Sequence, residues 1–372
     1  MPDARGRRTA RPRPRWRKAA LWATGVTVGA AAGAVATKAL IRRDRRRIDP
    51  ERGEHLAELP PDDLGPVVAP DGTLLHVRAA GEPGAPGVLL AHGFSLDMTT
   101  WHYQWKEWSK RYRTVLVDHR GHGRSGTSPS RDYSLQAMGR DVKAVLDAAF
   151  PEGPVVLAGH SMGGMAILAF AEAHPEEFRG RIAGVLLADT AAAEVVRGAL
   201  GGILGRLTGY KVPDERAERI RGFMKEGRSD LSYLVARLTN FGNQASPWLV
   251  DYIAAISGQA PIEVWTDSLA GVLDLDLRHA LEHITVPALV VVGDVDRITP
   301  PSSARALVRG LPHGRLLVLE GAGHLSMLER HEQFNAVAGA FLDRAFSEWS
   351  ARAPASASAS GTTRRRSRGA SA

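Results

Sequence analysis

From about Asp71 onward, short apolar runs alternate with turns rich in Gly and Pro. The runs Leu74–Arg78, Val88–Ala91, Thr114–Asp118, Val155–Ala158, Val185–Ala188, Ala288–Val292 and Leu316–Leu319 have the length and composition of strands. The later ones are continuous Val/Leu stretches, the pattern of strands covered on both faces. Between them lie segments with helical spacing, such as Leu135–Ala149 and Gly163–Ala173. Strand–helix alternation predicts an α/β fold with a mainly parallel sheet flanked by helices.

The rhythm stops between Asp189 and Pro287. There the pieces Val195–Leu207, Asp214–Lys225, Asp230–Thr239, Pro247–Ser257 and Pro261–Leu273 are amphipathic, with no strand pattern among them. They predict a helical cap, residues 191–284, inserted into a core formed by 71–190 and 285–350. Residues 42–70 read as a linker and lead-in. The Ala/Ser/Arg tail, 351–372, and the Arg/Pro-rich residues 1–18 read as disordered.

Residues 19–37 run without a charge between Lys18 and Lys38. As a helix such a run would be about 28 Å long, near the hydrocarbon thickness of a bilayer. A membrane-spanning or signal-anchor helix is therefore expected over 19–41, with the catalytic domain outside the cytoplasm. The alternative is a secreted protein, the signal being cleaved at Ala34-Val35-Ala36. Gly25, Gly29 and Gly33 would line one face of that helix, which suggests a homodimer contact between two such segments.

Charge sharpens the organisation. The net charge is +8, yet residues 1–18 carry +7, residues 38–47 carry +5 and the four Arg of the tail carry +4, which leaves the rest at −8. An acidic body with basic ends speaks against a folded nucleic-acid-binding surface. The absence of Cys excludes a disulfide framework, a thiolate nucleophile and thiolate metal ligands.

The candidate chemistry starts at Gly159-His160-Ser161-Met162-Gly163-Gly164, which joins an apolar run to a helical segment. A G-x-S-x-G in that setting is the context of a nucleophile elbow. A serine hydroxyl needs a base to take its proton, and the base needs a carboxylate to fix its tautomer. The run ending at Val292 leads into Gly293-Asp294-Val295-Asp296, and the run ending at Leu319 leads into Gly321-Ala322-Gly323-His324. The order Ser…Asp…His follows, with each group just past a strand end, where parallel sheets bind ligands. His92-Gly93-Phe94 follows another strand, so the backbone N–H groups of Phe94 and Met162 are the candidate oxyanion donors.

Together with Asp118-His119-Arg120-Gly121-His122-Gly123-Arg124-Ser125, these segments resemble the α/β-hydrolase superfamily over roughly Leu74 to Phe346. The G-H-S-M-G-G form is similar to that of monoacylglycerol lipases and related carboxylesterases. Relatives that are haloalkane dehalogenases or epoxide hydrolases place Asp at the nucleophile, so Ser161 sets those two aside. The resemblance implies Ser161, Asp296 and His324 as the triad, because the family's acid usually lies three residues after the strand-end glycine. Asp294 and Asp189 compete for the acid's role. His92, Asp118 and Arg120 are expected to brace loops, and His160 to point away from Ser161.

The implied function is a serine hydrolase that cleaves carboxylic esters through an acyl-enzyme, without metal or organic cofactor. The partner is a small-molecule ester. Leu, Ile, Phe223, Phe241, Trp248 and Trp265 in the insertion suit an apolar acyl or alcohol group. Two alternatives remain: a cofactor-free haloperoxidase or C–C hydrolase using the same triad, and a silent hydrolase-like binding protein.

Overall fold

The computed structural model describes residues 37–193, 195 and 230–352. Residues Met1–Asp49 and Pro50–Ala372 form separate units, and everything below on the sheet and the site concerns the second. Among its described residues eight strands make one sheet: β1 (Asp62–Val68), β2 (Leu74–Ala80), β3 (Gly87–Ala91), β4 (Arg113–Val117), β5 (Val155–His160), β6 (Ile182–Ala188), β7 (Ala288–Gly293) and β8 (Gly314–Leu319). Their order is β1-β2-β4-β3-β5-β6-β7-β8. β1 and β2 are antiparallel, as are β2 and β4; every other pairing is parallel.

The apolar runs explain the centre of the sheet. Every residue of β3, β5, β6 and β7 is buried, so these strands need apolar side chains on both faces. After α1 (His102–Trp108), helices α2 (Leu135–Ala149) and α3 (Met162–Ala173) supply part of the cover through Met138, Val142, Leu146, Ile167 and Leu168, all in the main apolar cluster. Strand order reverses at β3, which has β4 on one side and β5 on the other. That reversal opens a crevice beyond the carboxyl ends of β3 and β5. The register pairs Ala91 with Gly159, so the loops that begin at His92 and Ser161 leave the sheet side by side.

β1 was not expected, since it lies inside the segment read as a linker. Its sequence Asp-Asp-Leu-Gly-Pro-Val-Val has two acids, a Gly and a Pro, and most of it is exposed. Its register against β2 shifts between Asp63 and Pro66. A proline and a bulge are tolerated on an edge strand, where one row of N–H groups faces solvent. Pairing with β2, rather than its own pattern, makes it a strand.

Between β6 and β7 the described residues form three α-helices, α4 (Asp230–Asn240), α5 (Pro247–Ile256) and α6 (Ile262–Leu273), and a short 3-10 helix, Arg278–His283. Ser246 caps α5, its hydroxyl accepting from the Leu249 N–H, and Pro247 occupies the first turn, where no N–H is needed. The expected helices Val195–Leu207 and Asp214–Lys225 lie, apart from Val195, outside the described residues.

The membrane-spanning expectation is corrected. No helix among the described residues is long and apolar enough to cross a membrane. The described part of the 19–41 segment belongs to a helix over 37–45 that carries Lys38, Arg42, Arg43, Asp44 and Arg45, too many charges for a hydrocarbon core. The expected membrane anchorage, and the localisation built on it, fall with that helix. Ala34-Val35-Ala36 and Gly25, Gly29 and Gly33 lie outside the described residues, so the dimer contact has no support. Residues 1–18 are likewise outside them. Of the expected tail only 351–352 are described, as the end of a long helix, His331–Arg352.

Candidate active site

β5 runs into Ser161, whose backbone sits at φ 50° and ψ −118°. That is left-handed space for a residue with a Cβ, a strain of about 1–3 kcal/mol. Two bonds from β6 and its end hold it: the Ser161 N–H donates to Ala188 O at 2.9 Å, and Thr190 Oγ1 donates to Ser161 O at 2.7 Å. Two glycines make the turn possible. A Cβ on Gly163 would lie 2.2 Å from Ala91 O, and one on Gly93 would lie 2.5 Å from His160 Nδ1. The elbow and the β3 loop therefore interlock, Gly163 against the Ala91 backbone and Gly93 against the His160 ring.

His324 stands over Ser161 from the loop after β8. Its Nε2 is 2.9 Å from Ser161 Oγ, and its Nδ1 is 2.9 Å from Asp296 Oδ2. Asp296 is fixed in turn: Oδ1 accepts the N–H groups of Ile298 at 2.8 Å and Thr299 at 3.0 Å, and Oδ2 accepts the Thr299 hydroxyl at 2.8 Å. A carboxylate on Nδ1 places the proton there and leaves the Nε2 lone pair facing Ser161. Chemically, the arrangement can move a proton from Ser161 to His324.

The other two candidate acids go elsewhere. Asp294 Oδ1 accepts the Gly321 N–H at 2.7 Å. Asp189 takes the Gly293 N–H at 3.0 Å, the Ser326 N–H at 2.9 Å and the Ser326 hydroxyl at 2.6 Å. It ties the ends of β6 and β7 to the loop that follows His324. Burial, with the charge of Asp296 nearby, pushes the Asp189 carboxyl up to about 7.

Burial pushes the Asp296 carboxyl upward too, but the charge and hydrogen bond of His324 and the donors of Ile298 and Thr299 outweigh it and hold the group below the usual range. For His324 burial disfavours the cation, yet the charge and hydrogen bond of Asp296 raise its pKa above the ordinary 6.5. A protonated His324 cannot accept a proton, so a reaction that uses it as base is lost as pH falls through that raised value. We expect the acid limb of kcat/KM to have its midpoint above 6.5, and Asp296→Asn to move it down in whatever activity remains. A wild-type midpoint at or below 6.5 in a pH–rate series would contradict this.

Around the oxyanion candidates, the bonds among described residues leave the N–H groups of Phe94 and Met162 without a protein acceptor. Met162 opens α3, where the first N–H groups have no intrahelical partner and the helix dipole favours negative charge. His92 braces the Phe94 loop: its Nδ1–H donates to Gly93 O at 2.7 Å, and its Nε2 accepts the His119 N–H at 2.9 Å. That pattern requires the neutral ring, and burial holds its pKa well below the usual value. His160 points away from Ser161 and donates from Nε2 to His324 O at 2.7 Å, and burial pushes its pKa down to about 3. Asp118 accepts the N–H groups of Met98 and Arg124, and Arg120 is held by Asp71 and Asp141. All four serve as loop braces.

Sequence reasoning passed over Thr190, Thr299 and Ser326. Thr299 had a local signal, because an Asp followed three residues later by Thr commonly closes a hydrogen-bonded turn. Thr190 and Ser326 had none, since their partners lie far along the chain.

A hydroxyl, an imidazole and a carboxylate in series, beside free N–H donors at the carboxyl edge of a parallel sheet, define the hydrolase class of site. Residues 88–337 match the alpha/beta hydrolase family model. The chain belongs to the alpha/beta hydrolase family, and it is a hydrolase acting on ester bonds. It is similar to 3-oxoadipate enol-lactonase 2 of Acinetobacter baylyi, with 26% identity over 273 residues, covering 73% of this chain and 93% of that protein. It is similar also to the pimeloyl-[acyl-carrier protein] methyl ester esterase of Aeromonas hydrophila, with 29% identity over 255 residues, 67% of this chain and 92% of that protein. Among solved structures, a thermophilic esterase from Thermogutta terrifontis superposes with a TM-score of 0.62 at 28% identity, covering 76% of this chain and 98% of that one.

Proposed function

We propose that the protein hydrolyses carboxylic esters through an acyl-enzyme on Ser161. Its Oγ attacks the acyl carbon while His324 Nε2 takes the proton, and Asp296 stabilises the imidazolium. The N–H groups of Phe94 and Met162 bind the oxygen that becomes negative. The C–O bond to the alcohol breaks, and His324 returns the proton to the departing oxygen. Water then loses a proton to His324 and attacks the acyl carbon, releasing the acid and restoring Ser161. No step needs a metal or an organic cofactor. The observation that carries this reading is the pair of 2.9 Å contacts through His324.

The proposed substrate has an apolar acyl or alcohol group, and the cap over 191–284 is proposed to shape its pocket. Supporting this, the Phe94 ring lies 5.3 Å from that of Trp265 on α6, an aromatic wall beside the oxyanion loop. On p-nitrophenyl esters, kcat/KM is expected to be higher for octanoate than for acetate, and the reverse order would remove the apolar-substrate part of the proposal. The acyl-enzyme itself is tested by a fluorophosphonate probe. It should label the full chain once, on Ser161, and equal labelling of Ser161→Ala would end the assignment.

A further inference from the structure

Beyond α7 (Pro301–Gly310), Glu329 closes a short helix, α8 (Ser326–Glu329), five residues past His324. Its carboxylate reaches back in two directions. Oε1 accepts the Gly323 N–H at 2.6 Å, and Oε2 accepts the Gly242 N–H at 2.8 Å. Gly323 directly precedes His324, whereas Gly242 lies in the turn between α4 and α5, more than 80 residues earlier.

The two backbones also touch. A Cβ on Gly242 would stand 2.0 Å from Gly321 O, and one on Gly323 would stand 2.6 Å from the carbonyl carbon of Phe241. One arginine fastens the same turn and a second fastens the end of α4. Arg237 donates to Gly242 O at 2.6 Å and to Asn243 O at 2.8 Å. Arg297, next to Asp296, donates to Leu238 O at 2.9 Å. The α4–α5 region is thus attached to the loops that carry both His324 and its acid.

We propose that Glu329 is a positioning residue that locks the α4–α5 turn onto the His324 loop, so that the seating of this turn sets where the imidazole stands. The proposal rests on the reading of His324 as the base. Only a carboxylate can accept at both oxygens; a glutamine would turn its NH₂ toward one of the two N–H groups. Burial pushes the Glu329 carboxyl up to about 7, with the charge of Asp189 acting the same way, against the pull of the two N–H donors and Arg330. Glu329→Gln therefore opens one arm of the lock with almost no change of shape.

The test uses the full chain and p-nitrophenyl acetate, with active sites counted by endpoint fluorophosphonate labelling. Displacing a catalytic group by even an ångström costs up to about 100-fold. Glu329→Gln is expected to lower kcat per labelled site about 10- to 100-fold with KM little changed, and Glu329→Ala to lower it further. Gly242→Ala, which pushes the turn off Gly321, should lower kcat in the same way. Combined with Glu329→Gln it should add little, because both open one joint. An unchanged kcat per labelled site, with only melting temperature lost, would make Glu329 a stability residue and overturn the proposal. So would a change confined to KM, or losses that multiply in the double variant. Failure of the triad reading looks different: Ser161→Ala would then stay active and labelled.

Discussion

Ser161→Ala is expected to lower kcat by on the order of 10⁶, the loss that removing a triad nucleophile produces. The change deletes one oxygen and keeps the Cβ, so the strained backbone at φ 50° and its bonds to Ala188 and Thr190 stay as they are. The melting temperature should therefore hold while turnover disappears. Residues of a triad act as one unit, so Ser161→Ala with His324→Ala should be hardly slower than Ser161→Ala alone. Remaining activity of about 10³–10⁴ over water would come from the Phe94 and Met162 N–H groups and from binding. Ester hydrolysis at wild-type rate in Ser161→Ala would remove the proposed mechanism.

Asp296→Asn should lower kcat by on the order of 10⁴. The amide keeps the shape, but its NH₂ donates where the carboxylate accepted. His324 Nδ1 must then become the acceptor, and its proton moves to Nε2, where it blocks acceptance from Ser161. Asp189→Asn and Asp294→Asn should cost much less, because neither side chain is hydrogen-bonded to His324. Asp189→Asn should still be measurable, since an NH₂ in place of Oδ2 would oppose the Ser326 N–H now accepted there at 2.9 Å. A crippled Asp189→Asn beside a normal Asp296→Asn, in steady-state kinetics on one ester, would move the acid to the end of β6.

Much of the fold was legible because its central strands are short and covered on both faces. Continuous Val/Leu runs such as Val185–Ala188 and Ala288–Val292 can hardly be anything else when turn residues bound them. The helices Asp230–Asn240, Pro247–Ile256 and Ile262–Leu273 followed from amphipathic spacing. β1 was illegible for the opposite reason: its exposed edge and bulge leave no apolar pattern, and only β2 makes it a strand. Of the uncharged run at 19–37 only Thr37 is described, and the helix it opens carries Lys38, Arg42, Arg43, Asp44 and Arg45, charges that length and lack of charge in the run itself do not reveal.

The sequence by itself determined the candidate groups. A strand–turn–helix around Ser161 can be read because the strained turn demands small residues at fixed offsets, and the strand-end positions of Asp296 and His324 follow from the runs before them. The family resemblance favoured Asp296 as the acid, but local pattern left Asp189 and Asp294 open, and only the tertiary structure shows Asp296 Oδ2 2.9 Å from His324 Nδ1. Asp189, Asp294 and Asp296 all follow or lie within a few residues of a strand end, and which one faces the imidazole depends on the paths of two loops after β7 and β8. Tertiary structure alone also brought in Thr190, Ser326 and Glu329, whose bonds to Ser161, Asp189 and Gly242 span 29 to 137 residues. Local pattern encodes local geometry and burial; a bond between distant loops depends on the whole sheet that sets their spacing, and no short window of residues contains that information.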